Sequence, residues 1–138
     1  MTATEVQAAI ETTLGTVDGL TVTDKAVSGT VETRSLPATT AIFEGYDDVQ
    51  LHTMTAERTG TWRVPVYFAM SDPARFKSAM VTVIPAIYAA FEDAWSGDGT
   101  VEVTDGGEPE IVNDSAAATV ARKVLFVRVT FEEPRSAA

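Results

Sequence analysis

The stretch that decides the fold is Gly60-Thr-Trp-Arg-Val-Pro-Val-Tyr-Phe-Ala-Met-Ser-Asp-Pro73. Its first part alternates between two faces, which predicts a half-buried strand. One face carries Trp62, Val64, Val66, Phe68 and Met70, and the other carries Arg63, Tyr67 and Ala69. Ser71 or Asp72 suits a helix N-cap, and Pro73 suits the first helical position. The stretch therefore predicts a central strand that leads directly into a helix.

The helix that follows is predicted to run from Pro73 to about Trp95. Apolar residues recur about once per turn and form a stripe wide enough to cover one face of a sheet. The stripe consists of Phe76, Met80, Val83, Ile84, Ile87, Phe91 and Trp95. Pro85 lacks an amide hydrogen, so we expect it to kink this helix or divide it in two. Pro65 has the same defect within the strand and predicts an edge position or a bulge.

Upstream, Thr2 and Glu5 form a capping-box pattern, which predicts a helix from about Ala3 to about Leu14. Its polar face carries Gln7, Glu11 and Thr12. We then expect a strand over residues 20–27, a loop over 28–36, a strand over 37–45 and a turn over 46–48. Residues 49–59 alternate weakly and are either the far end of a long hairpin or a loop.

Downstream, Val101 and Val103 predict a short strand, and residues 110–119 show no clear period and predict a loop. The last strand, residues 124–131, is apolar on both faces, which is typical of a central or interface strand. Residues 133–138 are expected to be a frayed tail. The order α-β-β-β-α-β-β predicts an α+β fold in a single domain, residues 1–138. It comprises one twisted, mainly antiparallel sheet with two helices packed on one face.

Composition excludes several kinds of chemistry. The 138-residue chain contains no cysteine and one histidine, so it offers no thiolate nucleophile, disulfide or multi-histidine metal site. Its longest apolar run is too short and too interrupted for a membrane span, and no signal-peptide pattern is present. The formal charge of −10 disfavours specific DNA binding. Abundant acidic residues with few lysines resemble the composition of proteins from salt-accumulating cells.

The polar residues give no strong indication of an active site. His52 lies in a polar segment, and an exposed loop position is the simpler interpretation. Asp47 and Asp48 with Glu44 could hold a cation, but they lack a calcium-loop spacing and more simply form an acidic turn. Glu132 and Glu133 are adjacent in a strand and should point to opposite faces. Residues 97–99 and 105–107 contain glycines typical of turns. We therefore predict no enzyme activity, no cofactor and no catalytic or metal-binding residue.

The arginines are the more informative polar set. Arginine forms bidentate, partly buried ion pairs better than lysine does, so arginines on strands and loops of an acidic chain could pair across subunits. Ordinary pairing within the chain is the equal alternative. The predicted interface residues are Arg34, Arg58, Arg63, Arg122 and Arg128, together with Phe126 on the last strand.

Four features in succession resemble the tail terminator, or tail completion, proteins of long-tailed phages and other tailed viruses. The first two are an N-terminal amphipathic helix ending in residues 17–22 and a strand that opens with a proline, near Pro37. The third is a strand that begins with an arginine and runs from Arg58 into the helix start at Asp72, and the fourth is the final strand over 124–131. The resemblance covers most of the chain, although none of the motifs is specific by itself. It implies an α+β fold, a ring of six subunits and a structural role in the virion, after synthesis in the host cytoplasm.

The resemblance also implies partners. Such a ring caps the tail tube protein, joins it to the head-closure or connector protein and lets DNA pass through its bore without specific binding. We expect residues 28–36 and 46–59 to meet the tube or connector, and residues 110–122 to meet the neighbouring subunit. A head-closure or neck ring of the same virion is an alternative. A monomeric small-ligand-binding domain, with Trp62 and Tyr67 lining a pocket, is another.

Overall fold

The computed structural model describes residues 1–27, 36–114 and 119–134. They form an α+β fold, as the sequence predicts, with two helices and a mixed, mostly antiparallel sheet of seven strands. In chain order the elements are α1 (Ala3–Leu14), β1 (Thr21–Val22), a 3₁₀ helix (Asp24–Val27), β2 (Ala38–Thr39), β3 (Ile42–Leu51), β4 (Thr55–Ala69), α2 (Pro73–Asp93), β5 (Thr100–Asp105), β6 (Glu110–Asp114) and β7 (Thr119–Pro134).

Two long central strands, β4 and β7, organise the sheet. They pair antiparallel without interruption from Thr55 opposite Pro134 to Ala69 opposite Val120. At about 3.3 Å per residue, this ladder is roughly 50 Å long. On the outer side of β4, β3 covers the first half and β2 the second, with β1 parallel to β2 beyond it. On the outer side of β7, β6 and β5 lie end to end.

Both helices pack on one face of this sheet, as predicted. The even-numbered residues of β4 from Trp62 to Phe68 and the odd-numbered residues of β7 from Leu125 to Phe131 point toward them and are buried. Three residues of α1 (Val6, Ile10, Leu14) and three of α2 (Val83, Ile87, Phe91) complete this core. The predicted alternation of the two central strands is therefore confirmed.

Helix α1 begins with the predicted capping box: the Thr2 hydroxyl accepts from the Glu5 amide, and the Glu5 carboxylate accepts from the Thr2 amide. Gln7, which the sequence assigns to the polar face, instead joins the helix to the sheet. Its Oε1 accepts from Trp62 Nε1 at 2.7 Å, and its Nε2 donates to the Ala41 carbonyl at 2.8 Å. One amide side chain thus satisfies the indole of the most buried aromatic residue and a backbone carbonyl beside β3.

Pro65 lies in an interior strand, not at an edge. Its Cα is in register with Val124 of β7, while on the other side the strand's partner changes from β2 to β3 at this point. The Pro65 carbonyl accepts from the Thr39 hydroxyl at 2.7 Å. In an antiparallel strand the N and the C=O of one residue point toward the same neighbouring strand. The Pro65 nitrogen therefore points, like its carbonyl, toward the gap between β2 and β3, so the absence of an N–H costs no hydrogen bond between strands.

Helix α2 is capped by Asp72, whose carboxylate accepts from the amides of Ala74 and Arg75. It runs continuously through Pro85, so of the two expected effects the division into two helices is wrong, and the kink stays a prediction. The Val81 carbonyl would accept the helical hydrogen bond that Pro85, which has no N–H, cannot donate. Val81 and Pro85 are both exposed, so a water molecule can donate to this carbonyl instead.

Several predicted boundaries are corrected. The strand expected over 20–27 is two residues long and is followed by the 3₁₀ helix. The strand expected over 37–45 is split into β2 and β3, and the turn expected at 46–48 lies inside β3. Of the two alternatives for 49–59, the hairpin is confirmed.

Two further corrections concern the end of the chain. Residues 110–114 form β6 instead of part of a loop. Glu133 and Pro134 belong to β7 instead of a frayed tail, because they pair with Ala56 and Thr55. Residues 28–35, 115–118 and 135–138 lie outside the described residues, so the predictions made for them stay predictions.

We predict that Gln7→Leu lowers the free energy of unfolding by about 2 kcal/mol, because it leaves the Trp62 indole and the Ala41 carbonyl without their partner. Urea unfolding followed by tryptophan fluorescence measures the loss. Glu11→Ala is the matched control, since it removes a side chain that also accepts from Gln7 Nε2, at 2.9 Å, but leaves both sheet contacts in place. Equal losses in the two variants would contradict the assigned role.

Candidate functional site

The sheet face opposite the helices, termed here the open face, brings together four of the predicted interface residues. Arg63 of β4 lies directly opposite Phe126 of β7. Arg122 and Arg128 are at even-numbered positions of β7 and therefore share the face of Phe126. Arg58 is in register with Phe131 and lies on the helix face near the end of the ladder. Arg34 lies outside the described residues.

The four described arginines of this set each pair with a carboxylate of their own chain. The N···O distances are 2.8 Å for Arg58–Glu133, 3.5 Å for Arg63–Glu44, 3.3 Å for Arg122–Glu110 and 3.1 Å for Arg128–Asp47. Pairing within the chain is the alternative that the sequence analysis left open beside pairing across subunits. The Nε atoms of Arg58, Arg63 and Arg122 are buried and make no well-aligned hydrogen bond within the described ranges, so the pairs of Arg58 and Arg63, which these atoms form, are close ionic contacts without good hydrogen-bond geometry. A role for them between subunits stays a prediction.

The arrangement of Trp62 and Tyr67 does not form the pocket that a small-ligand-binding domain was expected to have. The two residues lie five positions apart on β4, so their side chains point to opposite faces. Trp62 is fully buried under the helices, and Tyr67 is buried on the open face against Ala26 and Val120. Neither side chain is accessible to a ligand without rearrangement of the fold.

The polar residues considered for catalysis or metal binding are spread apart. His52 is exposed at the turn of the β3–β4 hairpin, where its amide donates to the Thr55 carbonyl at 2.8 Å. Asp47 binds Arg128 and the Thr61 hydroxyl instead of converging with Asp48 and Glu44. Within the described ranges, no three histidine or carboxylate side chains come together in a way that could hold a metal ion.

The remaining acidic and glycine motifs have the predicted structural positions. Glu133 pairs with Ala56 on the helix face, and Glu132 pairs with Glu57 on the open face, so the two carboxylates diverge. Residues 97–99 precede β5, and residues 105–107 begin at its last residue and continue into the turn after it.

Exposed apolar side chains are concentrated at two edges of the sheet. Among the described residues, eight large hydrophobic side chains are exposed: five lie on β3 and its turn, two on β6 and one, Val81, on α2. We call the first group the β3 strip: Phe43, Tyr46, Val49, Leu51 and Met54, with exposed fractions from 40% to 76%. We call the second group the β6 strip: Ile111 and Val112, at 56% and 39%.

The β3 strip was missed by the sequence analysis because two register shifts disguise it. Strand alternation assigns Phe43, Tyr46 and Val49 to alternate faces. The register shifts after Phe43 and after Tyr46 return all three to the helix face, opposite Trp62, Gly60 and Arg58. The signal available in the sequence was the three-residue spacing of Phe43, Tyr46 and Val49. This spacing does not identify one face of a strand unless the positions of the bulges are known.

The β3 strip is continuous with the core at one end and extends beyond it at the other. The Phe43 ring lies 4.9 Å from the Trp62 ring, and the Tyr46 ring lies 6.5 Å from Phe131 and beneath the Arg58 guanidinium. Leu51, at the far end, is 63% exposed. β3 also carries three carboxylates and two bulges, which are the usual protection of an edge strand. The candidate contact surface is therefore the row of exposed apolar side chains on its helix face, not the strand edge as a whole.

A buried lysine fixes the turn that separates β5 from β6. Lys123 is 7% exposed, and its Nζ donates to Asp105 Oδ1 at 2.6 Å and to the Gly107 carbonyl. The hydrogen bond from Lys123, together with that from the Gly107 amide, holds the pKa of the Asp105 carboxyl below its ordinary value of 3.8. The ion pair therefore positions the turn that leads into the β6 strip.

Comparisons with known proteins add no relative to this picture. A scan against protein-family models and a search of curated protein sequences each gave no match. The helices in the described part of the chain are too short or too polar to cross a membrane. The functional interpretation therefore rests on the geometry described above.

We predict that Asp105→Ala destabilises the fold more than Lys123→Met does. The first change leaves a buried ammonium without its counter-charge, whereas the second leaves a carboxylate whose side chain is 64% exposed and can be hydrated. Comparison of the urea concentrations at the unfolding midpoint of the two variants, at neutral pH, shows which variant loses more stability.

The same pair should give a defined pH dependence. Because folding lowers the pKa of Asp105, its stabilisation is present above pH 3.8 and is lost as the pH falls further, through the folded-state pKa. The stability difference between the unmodified chain and Asp105→Ala should therefore narrow in acid. A difference that is independent of pH would contradict the role assigned to this ion pair.

Proposed function

We propose that this chain is a structural protein of a tailed virus, a tail terminator whose ring caps the tail tube and joins it to the head connector. The observation that carries the proposal is the concentration of exposed apolar residues at two sheet edges, the β3 strip and the β6 strip. Apolar edges of this kind favour assembly with other chains.

The position of the two strips favours a cyclic assembly over a symmetric dimer. β3 pairs with the first half of β4, and β6 pairs with the first residues of β7, so they occupy diagonally opposite corners of the sheet. Two different patches that bind each other produce a head-to-tail contact. Such contacts close into a ring when the rotation between subunits permits.

The order of elements also supports a terminator. The resemblance rests on an amphipathic N-terminal helix, a proline next to the start of β2, a long strand that passes almost directly into α2, and the final strand β7. The same features are compatible with a neck ring of the same virion, which is the alternative.

The charge of the chain is compatible with this role. The net charge of −10 keeps the unassembled subunit soluble, and an acidic bore would let DNA pass without sticking. The same charge opposes subunit approach at low ionic strength, so assembly should strengthen when salt screens the repulsion.

We predict that the purified protein forms a species of about six times the 14.7 kDa subunit mass, more completely in molar salt than in dilute buffer. Analytical ultracentrifugation measures the mass, and negative-stain microscopy shows whether the species is a ring.

Function is tested by adding the protein to polymerising tail tube protein of the same virus. A terminator stops tube growth and is seen as a ring at one end of each tube. Rings that leave tube length unchanged would favour the head-closure or neck alternative. A chain that remains monomeric in molar salt and does not affect tube length would contradict the proposal.

A further inference from the structure

The β3 residues of the β3 strip and Ile111 of the β6 strip lie on the same face of the sheet. All four β3 residues of the β3 strip lie on the helix face of the sheet, because they are in register with Trp62, Gly60, Arg58 and Ala56. Ile111 of the β6 strip is opposite Ala121, which is itself opposite Phe68, so Ile111 also lies on the helix face. Strands joined edge to edge keep their faces, so a sheet continued between copies would place these side chains together.

The outer edges of β3 and β6 have no strand partner within the described residues. The bulges in β3 interrupt its regular hydrogen-bonding edge, so apolar side-chain packing would supply most of the contact energy there. At about 25 cal/mol per Å² of buried apolar area, side chains that are 40–76% exposed offer a substantial gain on burial.

The arginines explain how such edges could be brought together in a chain of this charge. Arg63 and Arg128 neutralise Glu44 and Asp47 beside the β3 strip. Arg122 neutralises Glu110 beside the β6 strip. These pairs remove much of the like-charge repulsion that an acidic edge would otherwise carry into a contact.

We propose that the β3 strip of one copy packs against the β6 strip of a second copy, so that the sheets of neighbouring subunits continue edge to edge. This inference rests on the proposed ring assembly and names its contact surface. It assigns residues 46–59 to the neighbouring subunit, whereas the sequence analysis expected them to meet the tube or connector. The arginines act in it by neutralising carboxylates beside the contact.

A symmetric contact between two β3 strips is the main competitor, and the structure disfavours it. It would leave the β6 strip exposed. Contact between β3 and β6 uses both apolar edges. It also repeats from copy to copy, as a ring requires.

The absence of cysteine makes the contact directly measurable. Leu51→Cys and Ile111→Cys proteins are mixed at assembly conditions and treated with a short bis-maleimide. We expect a crosslinked dimer that contains one copy of each variant, identified by mass spectrometry of the linked peptides. Val81→Cys mixed with Ile111→Cys is the control, because Val81 is an exposed apolar residue on α2, away from both edges.

A second pair of variants measures the energetic contribution. Leu51→Asp should weaken self-association at least ~10-fold, measured by sedimentation equilibrium, because it places a charge in the apolar contact. Val81→Asp introduces the same charge at a residue that is 71% exposed, against 63% for Leu51, and should leave association unchanged. Unchanged circular dichroism in both variants shows that folding is intact.

Three results would overturn the inference. They are crosslinking of Leu51→Cys only to itself, association that is equally insensitive to Leu51→Asp and Val81→Asp, and a chain that stays monomeric in molar salt. The first two leave the proposed function standing, provided that rings form and tube growth stops. In the third case, the tube-growth assay decides separately whether the proposed function also fails.

Discussion

The antiparallel ladder between β4 and β7 is the constraint on which the rest of the structure depends. It aligns fifteen residue pairs, places Trp62 opposite Val127 and thereby sets the core that both helices cover. Because the two long strands are interior, every shorter strand must lie at their margins. The edges where β3 and β6 lie are thus a direct consequence of this ladder.

The central parts of the fold could be predicted because their patterns are local and regular. Thr2 and Glu5 fix the start of α1, Asp72 and Pro73 fix the start of α2, and unbroken alternation identifies the cores of β4 and β7. The errors occur where a contact distant in sequence overrides the local pattern. Gln7 looks like a surface residue until Trp62 lies beside it, and residues 110–114 become a strand only because β7 is available to pair with them.

The sequence predicted the chemical type of the candidate site, which stays a prediction, but it did not locate the exposed apolar residues. The sequence indicated surface contacts and drew attention to the arginines, four of which the structure shows paired within the chain. The apolar strip on β3 escaped notice because its bulges break the two-residue period that identifies a strand face. Three of the ion pairs involve a carboxylate of β3 or β6 (Glu44, Asp47 and Glu110), so they lie on the same strands as the apolar strips.

The central claim is that the sheet edges at β3 and β6 are the surfaces that assembly covers, and hydrogen–deuterium exchange tests it most directly. Amide exchange is compared between dilute subunits in low salt and assembled protein in molar salt, with Leu51→Asp as the salt-matched unassembled control. Assembly should slow exchange in β3 and β6 and leave the exposed side of α2 around Val81 unchanged. Protection confined to α2 or to the interior strands β4 and β7, with β3 and β6 unchanged, would contradict the claim.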